Sequence, residues 1–337
     1  MLGHILFTAV NAVLPIILII LLGYILKRKK FLSSEFLKVG NKLVFKICLP
    51  AMLFINVYDI QNFGSISWDI VIYSCIVIGV IFLLGLLTCI LTTRVPERRG
   101  VILQCTFRSN YAIIGLSLAA ALGGSEAEAV GAILSAFSIP LINILAVIAL
   151  SVFVGGKKKS VGSIVKNIAS NPLILAVLTG LVFLGLRGIQ EPIFGRTVFT
   201  VKDQLPFLHK SLSNLKSIAS PLALIVLGGQ FEFSAVKGMF KEIAISTVWR
   251  VVLAPALGIG GAILLNSLGV ISCGPTEFPA LIALFGSPVA VSSAIMAGSM
   301  GNDEQLATQL VVWTSLCSIV TIFVQVCILM SMGLLAV

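Results

Sequence analysis

The stretch VILQCTFRSNYAIIGLSL, residues 101–118, decides the fold of this chain. It is a mostly apolar run whose middle is interrupted by the polar group Arg108, Ser109, Asn110 and Tyr111. A charged side chain halfway along a membrane-crossing helix is costly, and such residues are usually paired or functional. If the surrounding chain is a membrane protein, this stretch predicts a helix that is broken inside the bilayer.

The composition places the chain in the membrane class. Of its 337 residues, 58% are hydrophobic and only 11% are charged, and the mean hydropathy is +1.12. Soluble domains have about 45–50% apolar and about 25% charged residues. Apolar runs of about 20 residues recur along the chain, which is the length that a spanning helix needs. These features predict an all-α polytopic membrane protein. They exclude a β-barrel, whose short strands alternate polar and apolar residues.

Ten membrane spans are predicted, near residues 5–26, 43–60, 69–92, 101–122, 128–153, 168–187, 213–231, 243–266, 278–299 and 305–334. Most of the 23 Lys and Arg residues lie in connectors on one side of these spans. Connectors rich in Lys and Arg stay in the cytoplasm. Both termini lie on the opposite side of the predicted spans, so they are predicted outside the cell, in a multi-pass protein of the plasma membrane. The net charge of +10 reflects this asymmetry, so no nucleic-acid partner is expected.

The sequence carries no motif for catalysis or for a bound cofactor. Its seven cysteines form no CxxC pair, and it has only two histidines. It also lacks a phosphate-binding loop and a zinc-protease motif. We therefore expect neither a metal nor a cofactor, and we do not expect the chain to be an enzyme.

The two halves of the chain, residues 1–155 and 156–337, resemble each other. Four pairs of motifs occur in the same order: Asn11–Pro15 with Asn171–Pro172, Leu49–Pro50 with Ser220–Pro221, Ser109–Asn110 with Ser287–Pro288, and Glu126–Glu128 with Asp303–Glu304. Because each half has an odd number of predicted spans, the second half would enter the membrane from the opposite side. This pattern predicts two inverted five-helix repeats, an architecture of many secondary transporters. The alternative is chance similarity among apolar segments.

A second interrupted run, LIALFGSPVAVSSA at 281–294, contains Gly286, Ser287 and Pro288 in its middle. Proline removes a backbone donor and clashes with the preceding helical turn. Backbone groups freed in lipid need partners from protein or from a water-filled cavity. Paired interruptions at matching positions of two halves therefore indicate a binding site near the membrane midplane, and free N–H groups at half-helix ends favour an anion. The alternative is a pair of kinked helices without a ligand.

Arg108 has no obvious partner inside the membrane, because no Asp or Glu lies in the middle of a predicted span. A substrate carboxylate would supply the missing partner. The alternative is that Arg108 extends to the cytoplasmic edge, as we expect Arg250 in span 8 to do. The missing carboxylates also count against a proton relay. Sodium binding through backbone carbonyls and polar side chains at the breaks stays open, as does transport without a coupling ion.

The motifs LPAMLF at 49–54, FRSNYAIIGLSLAAALGG at 107–124, IPLINILAVIAL at 139–150, SPLALIVLGG at 220–229 and GSPVAVSSAIMAG at 286–298 resemble the auxin efflux carrier family. These are prokaryotic relatives of the plant PIN-FORMED auxin carriers, and the resemblance covers essentially the whole chain. It implies a scaffold from spans 1, 2, 6 and 7 and a transport domain from spans 3–5 and 8–10. Broken spans 4 and 9 would cross, and an elevator movement would carry an organic anion.

Within this resemblance, Asn110 matches the crossover asparagine and Pro288 the second crossover proline. Ser109 stands where the family has its first crossover proline, which is a departure from the pattern.

We therefore predict a secondary transporter of small organic anions, such as carboxylates or auxin-like acids. The predicted substrate-binding residues are Asn110 and Tyr111 as hydrogen-bond donors, Ser109, Ser287 and Pro288 at the breaks, Arg108 as the attracting charge, and Asn143 and Ser292 as further candidates. Asn143 could equally bridge two helices, and Ser292 could simply allow close packing.

Three other functions stay open from the sequence. A sodium-coupled symporter resembling the bile acid carriers is one, although it would be expected to carry a buried acidic residue. A channel and a membrane sensor are the others. Membrane lipids are the remaining expected partner, and a homodimer is compatible with the sequence.

Overall fold

The computed structural model describes residues 2–59, 68–153 and 170–335, and these residues form helices and short connections without strands. The predicted basic connector with Lys157, Lys158, Lys159 and Lys166 lies outside the described residues. The helices of the first half are α1 (Leu2–Arg28), α2 (Ser34–Tyr58), α3 (Trp68–Thr92), α4 (Pro96–Phe107) and α5 (Leu116–Val152). Those of the second half are α6 (Pro172–Phe194), α7 (Val201–Gln204), α8 (Pro206–Gln230), α9 (Phe240–Ser267), α10 (Glu277–Gly286), α11 (Ser292–Ser299) and α12 (Glu304–Ser331).

Among the described residues, seven helices are long and apolar enough to cross a membrane. Their outer surfaces carry large apolar side chains, as on α3, where Leu83, Leu87 and Leu91 are all more than half exposed. Such exposure suits lipid rather than water. The chain is therefore a multi-pass membrane protein. The arrangement as ten spans in two inverted repeats stays a prediction.

Helix α5 contains a sharp kink that separates two helical parts. Gly123 (φ −143°, ψ 17°) and Gly124 (φ 69°, ψ −163°) leave the helical conformation. Only glycine adopts a positive φ with extended ψ at little cost. The kink lies between predicted spans 4 and 5.

The described helices pack in two groups, and α1 contacts both. Helix α1 packs on α8 and on α12, and α2 packs on both α6 and α8, while α3, α4 and α5 pack together. Helices α1 and α8 approach closely through glycines, because a Cβ on Gly228 would lie 2.0 Å from the carbonyl oxygen of Ile20. Small residues at helix contacts are typical of membrane bundles.

Helix α2 begins nine residues earlier than the predicted span 2. Its first turn is capped by Ser33, whose hydroxyl accepts the N–H of Phe36 at 3.0 Å. This first part is amphipathic, with Leu37 and Gly40 buried and Lys38 and Lys42 exposed. The helix therefore starts outside the apolar run that the sequence marks.

Candidate functional site

Both predicted helix breaks are confirmed. Helix α4 ends at Phe107, and Arg108 leaves the helical conformation with φ −86° and ψ 97°. Helical structure resumes at Tyr111. In the second half, α10 ends at Gly286, Ser287 is extended with φ −63° and ψ 148°, and α11 begins only at Ser292. The first break forms although Ser109 replaces the proline that the family pattern would place there.

The two extended linkers cross and pair with each other. Ser109 and Val289 form an antiparallel bridge. The backbone N–H of Asn110 donates to the carbonyl oxygen of Pro288 at 2.8 Å, and the N–H of Ala290 donates to that of Arg108 at 3.3 Å. These bonds satisfy backbone groups that the broken helices could not satisfy themselves.

A small cavity of about 40 Å³ lies at this crossing. That volume holds only a few water molecules. One wall is polar and comes from the linkers and α5. Its residues are Arg108, Ser109, Asn110, Tyr111, Ile139, Ile142, Asn143, Ala290, Val291 and Ser292. The opposite wall is mostly apolar and comes from α2 and α8. It contains Leu49, Met52, Leu53, Ala219, Ser220 and Ala223.

Six of the eight predicted site residues therefore line one cavity, and Ser287 and Pro288 do not. The hydroxyl of Ser287 donates to the carbonyl oxygen of Ala283 at 2.6 Å and is fully buried. Pro288 contributes its carbonyl oxygen to the pairing of the linkers. These two residues shape the second break behind the cavity.

Arg108 is buried at the crossing, with 4% of its surface exposed. Its Nη2 donates to Asn143 Oδ1 at 2.9 Å and to Ser292 Oγ at 2.8 Å. Its Nη1 contacts the sulfur of Met296. The alternative that Arg108 extends to the cytoplasmic edge is therefore wrong.

The partners of Arg108 are all neutral. Within residues 2–59, 68–153 and 170–335, the ion pairs involve other residues, and no carboxylate reaches this guanidinium. A buried charge without a counter-charge costs free energy unless a partner offsets it.

The side chain of Asn110 presents a second unmet polar group. Its Nδ2 is buried and has no hydrogen-bond acceptor among the described residues. Its backbone N–H donates to the carbonyl oxygen of Pro288, and its own carbonyl oxygen accepts the N–H of Ile114. A buried donor without an acceptor costs about 1–3 kcal/mol. An acceptor that enters the cavity would recover this free energy.

Two predicted site residues, Tyr111 and Asn143, are already engaged within the protein. The hydroxyl of Tyr111 donates its single proton to the carbonyl oxygen of Gly131 at 2.8 Å, so in this structure the ring forms part of the wall and does not offer a donor. Asn143 accepts from Arg108 and donates Nδ2 to the carbonyl oxygen of Ile139 at 2.8 Å. Asn143 thus both lines the cavity and holds the arginine.

Arg250 corrects a prediction. We expected it near the cytoplasmic edge, but only 1% of its surface is exposed. It lies beside the crossing and donates to the carbonyl oxygens of Thr106, Leu284, Phe285 and Ser287. The distance of Arg250 from the start of α9 is the sequence feature that could have predicted its burial. Ten residues after Phe240, it lies about 15 Å into α9.

Charged residues at one end of the molecule connect three helices. Arg98 near the start of α4 pairs with Glu242 of α9 at 3.0 Å and with Asp303, which caps α12, at 2.9 Å. These ion pairs hold the ends of α4, α9 and α12 together. In the described part of the chain, no group of three His, Cys, Asp or Glu residues is placed to hold a metal ion.

A buried cation and an unpartnered amide that face a cavity between two broken, crossing helices are features of membrane transporters. Residues 8–326 match the family described as membrane transport protein. The chain belongs to this family, which is the auxin efflux carrier family that its motifs resemble.

Two archaeal relatives are similar along most of their length. An uncharacterized transporter of Methanocaldococcus jannaschii is 28% identical over 272 residues, which cover 77% of this chain and 81% of that protein. An uncharacterized transporter of Methanothermobacter thermautotrophicus is 23% identical over 315 residues, which cover 93% and 95% of the two chains.

Proposed function

We propose that the protein is a secondary transporter that carries small organic anions, such as carboxylates or auxin-like acids, across the plasma membrane. The observation that carries this proposal is Arg108, a buried guanidinium that faces the cavity and has only neutral partners. A substrate carboxylate would accept charge-assisted hydrogen bonds from it. The unpartnered Nδ2 of Asn110 would donate to the same group or to a second substrate oxygen.

An elevator movement is favoured by the position of the cavity between two groups of helices. We infer a scaffold of α1, α2, α6 and α8 and a transport domain of the remaining long helices. The polar wall would belong to the transport domain and the apolar wall to the scaffold. Sliding one wall past the other would carry the bound anion with the polar wall.

The inferred inverted repeat fits the same arrangement. We infer ten spans if the kink at Gly123 and Gly124 divides α5 and if α10 and α11 count as one broken span. The paired motifs Leu49–Leu53 and Ser220–Ala223 then face the cavity from α2 and α8. Both termini would lie outside the cell.

Substrate entry requires the two walls to separate. The cavity has room for only a few water molecules, which is less than an organic acid with several carbon atoms needs. We infer that the described conformation is closed around the site. Opening would cost the contacts that α2 and α8 make with the linkers, and substrate binding would offset part of this cost.

The membrane potential can drive net movement of an anion without a coupling ion. One charge that crosses the membrane changes its free energy by about 2.3 kcal/mol per 100 mV. This corresponds to roughly fifty-fold accumulation of a monovalent anion outside the cell.

The proposal is tested by a thermal-shift screen of the detergent-solubilised protein against organic acids, each compared with its neutral amide. A ligand that binds the native state raises the unfolding midpoint. We expect at least one acid to do so while its amide does not. Uptake of that acid by proteoliposomes should then respond to an imposed membrane potential. Stabilisation by amides and acids alike would contradict the proposal.

A further inference from the structure

Arg250 occupies a cage built almost entirely of backbone carbonyl oxygens. Its Nε donates to Ser287 at 3.0 Å and its Nη1 donates to Thr106 at 3.3 Å. Its Nη2 donates to Leu284 at 3.3 Å and also to Phe285. The residue is 1% exposed, and it does not line the cavity at the crossing. Arg250 therefore has a different role from Arg108.

The four carbonyls lie at the C-terminal ends of both broken helices. Thr106 is the next-to-last residue of α4, and Leu284 and Phe285 belong to the last turn of α10. The last carbonyls of a helix have no partner within it, and each helix end carries about half a negative elementary charge. Two such ends converge here, so together they amount to about one negative charge. One guanidinium balances it.

In transporters with discontinuous helices, the C-terminal ends of half-helices and unwound carbonyls coordinate the coupling cation, such as Na⁺. The sequence alone leaves sodium binding at the breaks open. We propose that the guanidinium of Arg250 is a resident cation that occupies this carbonyl cage, so that sodium is not bound at the crossing. The transporter would then cycle without sodium because its cation is covalently part of α9.

This inference goes beyond the proposed function, because it concerns a cation and not the organic ligand. It can be tested without any substrate. A negative result of the sodium test would not contradict anion transport. Failure to find an organic ligand would not contradict the proposed role of Arg250.

The test compares unfolding midpoints in sodium chloride and in choline chloride at equal ionic strength. The variants are Arg250→Ala, which leaves the carbonyls without a donor, and Arg108→Ala, which removes an equally deep arginine whose partners are side chains. We expect the wild type and Arg108→Ala to be insensitive to sodium. Arg250→Ala should be less stable in choline and should regain stability with sodium in a saturable manner. At a sodium concentration about one hundred times its dissociation constant, the rise should be about 4 °C.

Two results would overturn the inference. One is a saturable sodium response of the wild type equal to that of Arg250→Ala. The other is a folded Arg250→Ala variant that does not respond to sodium. Potassium chloride serves as a further control for nonspecific salt effects.

If Arg250→Ala does not fold in either salt, the variant Arg250→Lys is used to test the inference. Lysine keeps the charge with fewer donors. A folded Arg250→Lys protein with a sodium-insensitive midpoint would support the need for a resident cation. Loss of folding in Arg250→Lys as well, or a sodium response of that variant, would overturn it.

Discussion

The substitution Arg108→Gln tests the anion site most sharply among single changes. The guanidinium donates to Asn143 Oδ1 and Ser292 Oγ and faces the cavity. Glutamine keeps a donor near these two acceptors but removes the positive charge. Because Arg108 has no carboxylate partner among the described residues, its loss leaves no buried counter-charge behind. The variant should therefore fold, unlike one that breaks a buried ion pair.

The expected loss concerns binding. Hydrogen bonds to charged groups contribute about 1.5–3 kcal/mol. At about 1.4 kcal/mol for each factor of ten, this predicts a roughly 10- to 150-fold weaker affinity for an organic acid. Affinity for the matching neutral amide should change little, because the amide gains no charge-assisted bond from arginine.

The assay is a titration of purified wild type and variant with the acid and its amide, followed by thermal shift or calorimetry. Ser292→Ala is the matched control, since it removes one partner of Arg108 and keeps the charge. We expect it to weaken acid binding far less than Arg108→Gln does. Equal affinity of wild type and Arg108→Gln for the acid would show that Arg108 does not bind the carboxylate.

Three further substitutions probe the site and the helix packing. Asn110→Ala should not lower the unfolding midpoint, because it removes a buried donor that has no partner among the described residues, and it should weaken acid binding by roughly tenfold or more in the same titration. Tyr111→Phe should lower the free energy of unfolding by about 1 kcal/mol, as measured by denaturant unfolding, because the hydrogen bond to Gly131 is lost. The same variant should keep the preference for the acid over its amide in the titration. Gly228→Ala should destabilise the protein by about 1–3 kcal/mol, because the added Cβ would overlap the backbone of α1. Gly185→Ala is the control, since its added Cβ would meet no neighbouring atom within 4 Å. Equal unfolding midpoints of the two variants would contradict this prediction.

The helix breaks could be predicted from the sequence because their causes are local. Pro288 cannot continue a helix, and the polar group from Arg108 to Tyr111 cannot lie in lipid without partners. Both linkers lie at these positions, and the kink at Gly123 and Gly124 falls where one predicted span gives way to the next.

The rest depends on contacts between distant parts of the chain. The predicted position of Arg250 was wrong because a shift of a few residues in the start of a helix decides whether a side chain lies at the membrane edge or at its centre. The engagement of Tyr111 with Gly131 depends on how α5 folds back after its kink. The position of Leu49 and Ala219 across one cavity depends on the packing of α2 and α8. Sequence periodicity does not encode these distances.

The proposed anion site lies at the crossing of the two broken helices. The most direct measurement is an experimental structure of the protein with the best acid from the screen. We expect the carboxylate within hydrogen-bond distance of the Arg108 guanidinium and Asn110 Nδ2, with α2 and α8 moved away from the linkers. An acid bound elsewhere, or continuous helices through residues 108–110 and 287–291, would contradict it.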